Sequence, residues 1–359
     1  MKAIIAAGGR GTRLRPITFT SNKHLIPIAN KPLLLYPVEA IAETGIKEVG
    51  VIVNETRAEV ENLLGDGKKW GFKITYIFQE KPQGLAHVVK ISQKFLGQEP
   101  FVYHLGDNIF TGGIMRPFKH FIDKKPDALL TIVEHPENQR LGVPYFDKTG
   151  KLVKVVEKPQ NPPNKFGVPG LYFFNHHVFE AFEGKDQIKP SPTRGEYEIT
   201  DLYTYLIEHG YNVETEEIDG WWKDPGKMED ILDANRLILD KFNAHLIEGK
   251  VENSQLSGDV RIEKGTVIKN SVIRGPVVIG RDCVIEDSYI GPFCSIYHKC
   301  AIKGTEIENS VLLEGATLID IGARVDNSLI GKDARVEKSN HKPKTYTFLL
   351  GDMAAVKLL

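Results

Sequence analysis

Apolar and polar positions change rhythm once along this chain, near residue 250. Before that point, short and continuously apolar runs alternate with stretches in which apolar residues recur every three or four positions. These are the patterns of buried strands and amphipathic helices. Strands are expected at 3–7, 48–53, 73–78, 101–105, 129–133, 152–156, 170–174 and 213–218. Helices are expected at 35–43, 58–64, 85–95, 116–121, 199–209 and 228–245. Unbroken apolar strands suit a sheet covered on both faces. The first part therefore predicts a doubly wound, Rossmann-like mixed α/β sheet, mostly parallel, with ligands at the carboxyl ends of its strands.

Beyond residue 250 the helical period stops and aliphatic residues recur every five or six positions: Ile262, Ile268, Ile273, Ile279, Ile285, Ile290, Ile296, Ile302 and Ile307. A second motif travels with them, at Asn253-Ser254, Asn270-Ser271, Asp287-Ser288, Asn309-Ser310 and Asn327-Ser328. Ser254, Ser271 and Ser288 are 17 residues apart, one turn of a three-sided coil. Such hexapeptide periodicity predicts a parallel β-helix, in which stacking buries a column that no single coil could bury. A sandwich would instead show turns every 8–12 residues. The expected domains are thus 1–245 and 246–359, with 339–359, where the period fails, expected to cap the coil's open end.

The repeat changes how the three cysteines are read. Cys283, Cys294 and Cys300 each follow an inward isoleucine by four, a slot that Thr266 and Ala334 also fill. They are expected to be small buried hydrophobes rather than metal ligands. Three cysteines exclude a disulfide framework. The N-terminus reads as a strand and loop rather than a leader, so a reducing, cytoplasmic setting is expected. A net charge of −1 argues against a nucleic-acid binder, and no apolar run reaches membrane-spanning length.

Candidate chemistry begins where the first strand breaks. Ala7 runs into Gly8, Gly9 and Gly11, interleaved with Arg10, Arg13 and Arg15. Bare backbone N–H groups beside cations suit a polyphosphate. The loop lacks the Lys-Ser/Thr of a P-loop, and Leu14 replaces the third glycine of a dinucleotide fingerprint.

Gly8-Gly9-Arg10-Gly11-Thr12-Arg13-Leu14-Arg15-Pro16 is followed by Asn22-Lys23-His24-Leu25-Ile26-Pro27 and Asn30-Lys31-Pro32. With these motifs the chain resembles the sugar-1-phosphate nucleotidylyltransferases, and among them the long-form glucose-1-phosphate thymidylyltransferases, which carry a C-terminal left-handed β-helix. The resemblance covers nearly the whole chain. It implies transfer of a nucleotidyl group from dTTP (or UTP) to glucose 1-phosphate, with Mg²⁺. The flat faces of the solenoid, with their long rows of side chains, predict self-association, so a cytoplasmic homo-oligomer that needs neither nucleic acid nor membrane is expected. It implies Arg13 and Lys23 as the catalytic cations, on the leaving pyrophosphate and the α-phosphate. Nucleotide contacts fall on Ala7, Gly8, Gly9, Gly11, Thr12, Arg13, Gln79, Gly84 and Asp107. Asp107 and Asp224 are the implied metal ligands, and Gly142, Glu157, Lys158 and Gly170 the sugar-phosphate contacts.

Chemistry supports several of these. Gln79 can donate and accept, as an imide base requires, although Gln83 in the same loop could do so too. Asp107 ends an apolar strand, where a carboxylate can join Mg²⁺ to phosphate. Two departures stand out: Pro225 replaces the usual Thr after Asp224, and Leu141 replaces a Tyr before Gly142, with Pro144 following. Residues 194–201 read equally as a substrate loop or a helix start. His298, on the coil, raises a bifunctional alternative in which the β-helix transfers acetyl groups. A non-catalytic regulatory subunit is the alternative of another class, and it would be expected to lose phosphate and metal residues that this chain retains.

Overall fold

The computed structural model describes every residue except Arg10, 242–244, Asn340, His341, Lys344 and Leu359. Arg10 of the glycine loop, and part of the helix expected to reach 245, therefore lie outside the described residues. Contacts divide the chain into two units, Met1–Gly9 with Leu34–Asp224, and Arg10–Leu33 with Pro225–Leu359. This grouping differs from a single cut at 245/246.

In the first unit, strands β1 (Lys2–Ala6), β2 (Glu48–Val53), β3 (Lys73–Phe78) and β4 (Phe101–Leu105) run parallel in the order β4-β1-β2-β3. A short β5 (Ile109–Phe110) precedes β6 (Ala128–Glu134), and β7 (Gly142–Phe146) pairs antiparallel with β8 (Leu152–Glu157). Beyond them, β9 (Phe166–Gly167) pairs antiparallel with β6, and β10 (Leu171–Phe174) lies antiparallel between β4 and β6. Finally β11 (Val213–Glu217) runs parallel to β6, and β12 (Trp222–Lys223) pairs with β5. The sheet is mixed and mostly parallel, as its apolar strands predict.

Alternation along the strands builds two cores. Ile4, Ile52 and Tyr103 pack with α3 (Leu85–Leu96) and α5 (Ile199–Glu208), through Val89, Leu202 and Leu206. Ala3, Ile5, Val49 and Val51 pack oppositely with α1 (Leu35–Glu43), α2 (Arg57–Leu64) and α4 (Met115–Lys124), through Ile41, Val60 and Phe121. Helices on both faces make the sheet doubly wound. Sequence reading missed β7, because Pro144 and Gly142 argue against a strand; a two-stranded hairpin tolerates a proline that a central strand would not.

The second unit contains the parallel β-helix, its strands stacked into three parallel sheets. Register repeats at 17, with Ile262 beside Ile279 and Ile279 beside Ile296. All nine recurring isoleucines are 1% exposed or less. The Asn/Asp-Ser motif also gains its reason. Asn253, Asn270, Asp287, Asn309 and Asn327 turn the corner at φ between 43° and 49°, a region Asn and Asp tolerate. Four of the five following serines link one coil to the next: Ser254 Oγ accepts from Ser271 N–H at 3.0 Å, Ser271 Oγ from Ser288 N–H at 3.1 Å, Ser288 Oγ from Thr305 N–H at 3.3 Å, and Ser310 Oγ from Ser328 N–H at 3.0 Å.

The three cysteines are buried free thiols in their slot. Burial pushes the Cys294 thiol up to about 12. His298 Nδ1 accepts from Arg281 N–H at 3.0 Å and lies 3.8 Å from Glu263, and burial, then Arg281, lowers its pKa. The segment 339–359, expected to cap the coil, has exposed apolar side chains among its described residues. Tyr346, Leu349 and Leu350 are exposed, Leu349 fully, and the last coil strand, Arg335–Glu337, is exposed with them.

Helix α6 (Met228–Asp240) and the segment 10–33 join the β-helix rather than the sheet. Leu14 and Ile26 pack with Ile231 of α6 and with Val311 and Leu313 of the coil. Asn235 locks this arrangement: its Oδ1 accepts from Ala29 N–H at 2.9 Å and Ser295 Oγ–H at 2.6 Å, and its Nδ2 donates to Phe293 O at 3.0 Å.

Candidate active site

In the first unit, the loops after the parallel strands carry the residues expected to hold a nucleotide. Ala7 N–H donates to Ile52 O at 2.8 Å, and the Gly8 carbonyl accepts from Asn54 Nδ2 at 2.8 Å. Asn54 secures its own loop by accepting from Thr56 N–H at 3.0 Å and Thr56 Oγ1 at 2.8 Å. Sequence reading passed over Asn54, whose one signal is its place immediately after an apolar strand.

Gln79 follows β3, its N–H donating to Val53 O at 2.8 Å, and it is only 7% exposed. A methyl group on Gly8 would stand 3.5 Å from Gln79 Oε1, so amide and glycine backbone lie side by side. The competing Gln83 is exposed, and it gives its carbonyl to Tyr197 N–H at 2.8 Å. Gly84 begins α3 at φ 103° and ψ 173°, a conformation for glycine alone. A Cβ there would collide with the Tyr197 backbone, including its nitrogen at 2.7 Å. That face of Gly84 is thus filled by the chain itself.

The carboxylates are organised by a residue that sequence reading did not single out. Asn108, 1% exposed, donates through Nδ2 to Asp107 Oδ1 at 2.9 Å. Its Oδ1 accepts from Gly170 N–H at 3.2 Å and from Trp222 Nε1–H at 2.6 Å. One amide thereby ties the Asp107 loop to Gly170 and to β12, whose chain continues to Asp224. The Tyr172 hydroxyl reports on this region: burial, followed by the charges of Tyr103, Glu157, Tyr203 and Asp224, holds it well above the usual phenol range. Among the described residues no cluster of three or more His, Cys, Asp or Glu could hold a metal. Two carboxylates on elements tied by one asparagine nonetheless fit a cation that takes its other ligands from phosphate and water.

Gly142 pairs with Glu157 across the β7–β8 hairpin, and a methyl group on Gly142 would lie 3.3 Å from Glu157 Oε2. Lys158 N–H donates to Leu141 O at 2.9 Å, and Lys158 Nζ lies 3.4 Å from Glu157 Oε1. Arg194 Nη2 stands 3.4 Å from the same oxygen and also pairs with Glu198. The 194–201 segment starts α5, with Glu198 at its N-cap, and its Arg194 reaches Glu157. At Gly170 a methyl group would lie 2.5 Å from Asn108 Oδ1.

Arg13 and Lys23 belong to the second unit. Gly11, at φ 58°, lets the loop close on Lys23: a Cβ there would lie 2.9 Å from the Lys23 Cβ and 3.0 Å from Thr18. Thr18 Oγ1 donates to Gly11 O at 2.7 Å. Thr12 and Arg13 form a single 3-10 turn with Leu14, and a methyl on Gly226 would meet Arg13 Nη2 at 2.7 Å. Lys23 is 5% exposed and His24 is also buried, with Asn22 Oδ1 accepting from His24 N–H at 2.8 Å.

A doubly wound sheet that presents a glycine loop, a buried glutamine amide beside it and two carboxylates, followed by a hexapeptide β-helix, fits a nucleotide-using α/β transferase. Residues 2–241 match the nucleotidyl transferase family, and the chain belongs to it. It is 42% identical to a glucose-1-phosphate thymidylyltransferase of Streptomyces antibioticus, covering all of this chain and 99% of that one. It is 39% identical to the low-salt glycan biosynthesis nucleotidyltransferase Agl11 of Haloferax volcanii, over the whole of both chains. Among solved structures, a Bacillus anthracis protein assigned as a glucose-1-phosphate thymidylyltransferase and crystallised with sucrose is similar. Its TM-score is 0.61 at 33% identity, over 66% of this chain and 94% of that one.

Proposed function

We propose that this protein transfers the thymidylyl group of dTTP to glucose 1-phosphate, releasing pyrophosphate and forming dTDP-glucose. The observation that carries the reading is its likeness, along the entire chain, to two Streptomyces glucose-1-phosphate thymidylyltransferases. A sugar-phosphate oxygen attacks the α-phosphorus, and the bond from that phosphorus to the bridging oxygen of pyrophosphate breaks. The nucleophile is already ionised, so the protein's work is alignment and charge stabilisation rather than proton removal. Arg13 is assigned to the leaving pyrophosphate and Lys23 to the α-phosphate. The burial of Lys23 supports this, since a nearly buried lysine is not a solvated surface charge.

Gln79 is assigned to the imide edge of the base, with the backbone of Ala7, Gly8, Gly9, Gly11, Thr12 and Gly84 framing the nucleotide. On the sugar side Glu157 takes hydroxyls, Lys158 the incoming phosphate, and Gly142 and Gly170 offer backbone. Mg²⁺ held by Asp107 and Asp224 would neutralise phosphate charge when bound. The β-helix is assigned to self-association in a cytoplasmic homo-oligomer, and a monomeric mass in solution would count against that assignment. Uracil has the same imide edge and lacks only a methyl group, a difference of about 1–3 kcal/mol, so UTP is the principal competitor.

The test is pyrophosphate release over a grid of nucleoside triphosphates and sugar 1-phosphates. dTTP with glucose 1-phosphate should give the greatest rate, and a faster pair would overturn the substrate assignment. Asp107→Asn and Asp224→Asn should suppress turnover while leaving the fold intact. Unchanged turnover at limiting Mg²⁺ would overturn the metal assignment.

A further inference from the structure

Gln79 has a neighbour that the reaction described above does not use. Its Nε2 lies 3.1 Å from Nδ1 of His87, on the first turn of α3. An amide nitrogen only donates, so this contact requires a bare Nδ1 that accepts. The surroundings favour such a ring. Burial, with Lys90 adding to it, lowers the His87 pKa, and the imidazole stacks on Tyr197 with centroids 6.4 Å apart and planes 23° apart. A neutral imidazole can keep Nδ1 free of its proton.

An amide offers two different edges. Its oxygen and the N–H on the same side can meet an imide, which presents a donor at N3 and an acceptor at O4. Turned over, the same amide would meet the N3 acceptor and N4 donor of cytosine equally well. A glutamine free to flip therefore reads pyrimidines without discriminating between them. With Nε2 tethered to His87, one N–H is spent and Oε1 stays on the side of Gly8.

We propose that His87 is a specificity-determining positioning residue: its Nδ1 locks the Gln79 amide in the orientation that pairs with an imide base and rejects cytosine. This rests on the assignment of Gln79 as base reader. A buried polar group left facing the wrong partner costs far more than a lost methyl contact, so the lock enforces imide over amidine rather than thymine over uracil.

The experiment measures kcat/KM for dTTP and for dCTP, with glucose 1-phosphate, in four full-length proteins: wild type, His87→Phe, His87→Asn and Gln79→Ala. Phe keeps an aromatic ring against Tyr197 but has no acceptor. Asn sets Oδ1 close to where Nδ1 lies. The dTTP-to-dCTP ratio should fall about tenfold or more in His87→Phe and return toward the wild-type value in His87→Asn. A general loss of packing would lower both rates and leave their ratio alone. A wild-type ratio in His87→Phe overturns the lock. A wild-type ratio in Gln79→Ala overturns the assignment of Gln79 itself and the lock with it, so the two failures are told apart.

Discussion

Asn108→Ala should damage both the stability of the first unit and its chemistry. The substitution removes the acceptor of two N–H groups, Gly170 at 3.2 Å and Trp222 Nε1 at 2.6 Å, and the donor to Asp107 at 2.9 Å. The site is closed to solvent, Asn108 being 1% exposed. Each buried donor left unpaired costs about 1–3 kcal/mol, or about 2–6 kcal/mol for the pair. A water entering the vacated space recovers some of this and sets the lower end.

The three tryptophans, Trp70, Trp221 and Trp222, all lie in the first unit, so their fluorescence follows its unfolding in urea. With a slope of about 2 kcal/mol per molar, the midpoint should fall by about 1–3 M. Asn108→Asp keeps an acceptor for both N–H groups but puts a carboxylate against Asp107. It should retain more stability than the alanine variant while turnover falls in both. Equal instability of the two variants would refute the acceptor argument. A wild-type midpoint and rate in Asn108→Ala would refute the clamp altogether.

Other substitutions test the remaining ties. Gly84→Ala should cost more than about 2 kcal/mol, from backbone strain and the collision with Tyr197, and should raise the KM for nucleotide; a silent substitution would contradict the geometry. Asn235→Leu leaves Ala29 N–H and Ser295 Oγ–H without their acceptor, so segment 10–33 should become sensitive to limited proteolysis. His120 bridges α4 to β11, with Nε2 2.6 Å from Glu214 and Nδ1 on Glu216. Burial lowers its pKa, but hydrogen bonds to Glu214 and Glu216 outweigh this and raise it above 6.5, while the His120 bond lowers Glu214 below 4.5. The bridge's contribution should be full between those two ordinary values, fade as pH rises through the raised His120 pKa, and fade as pH falls through the lowered Glu214 pKa. A pH series of urea midpoints for wild type and His120→Gln should converge at alkaline pH, and a constant difference would refute the assignment.

Much of this molecule was determined by sequence alone. A coil neighbour always lies about 17 residues away and meets the same slot, so nine isoleucines, three cysteines and five Asn/Asp-Ser pairs each repeat one physical demand. Unbroken apolar strands likewise announced a sheet covered on both faces, and the glycine run after β1 marked the loop that leaves the sheet. Tertiary structure alone decided where the rest belongs. Segment 10–33 follows the first strand in sequence, yet Leu14 and Ile26 find their apolar partners on α6 and on the coil more than 200 residues later. Asn108 meets Gly170 and Trp222 across 62 and 114 residues, and the Gly84 backbone is closed by Tyr197. A lone asparagine or glycine with one distant partner leaves no period to read, because its role is set by which loops the sheet brings together and not by its neighbours in the chain.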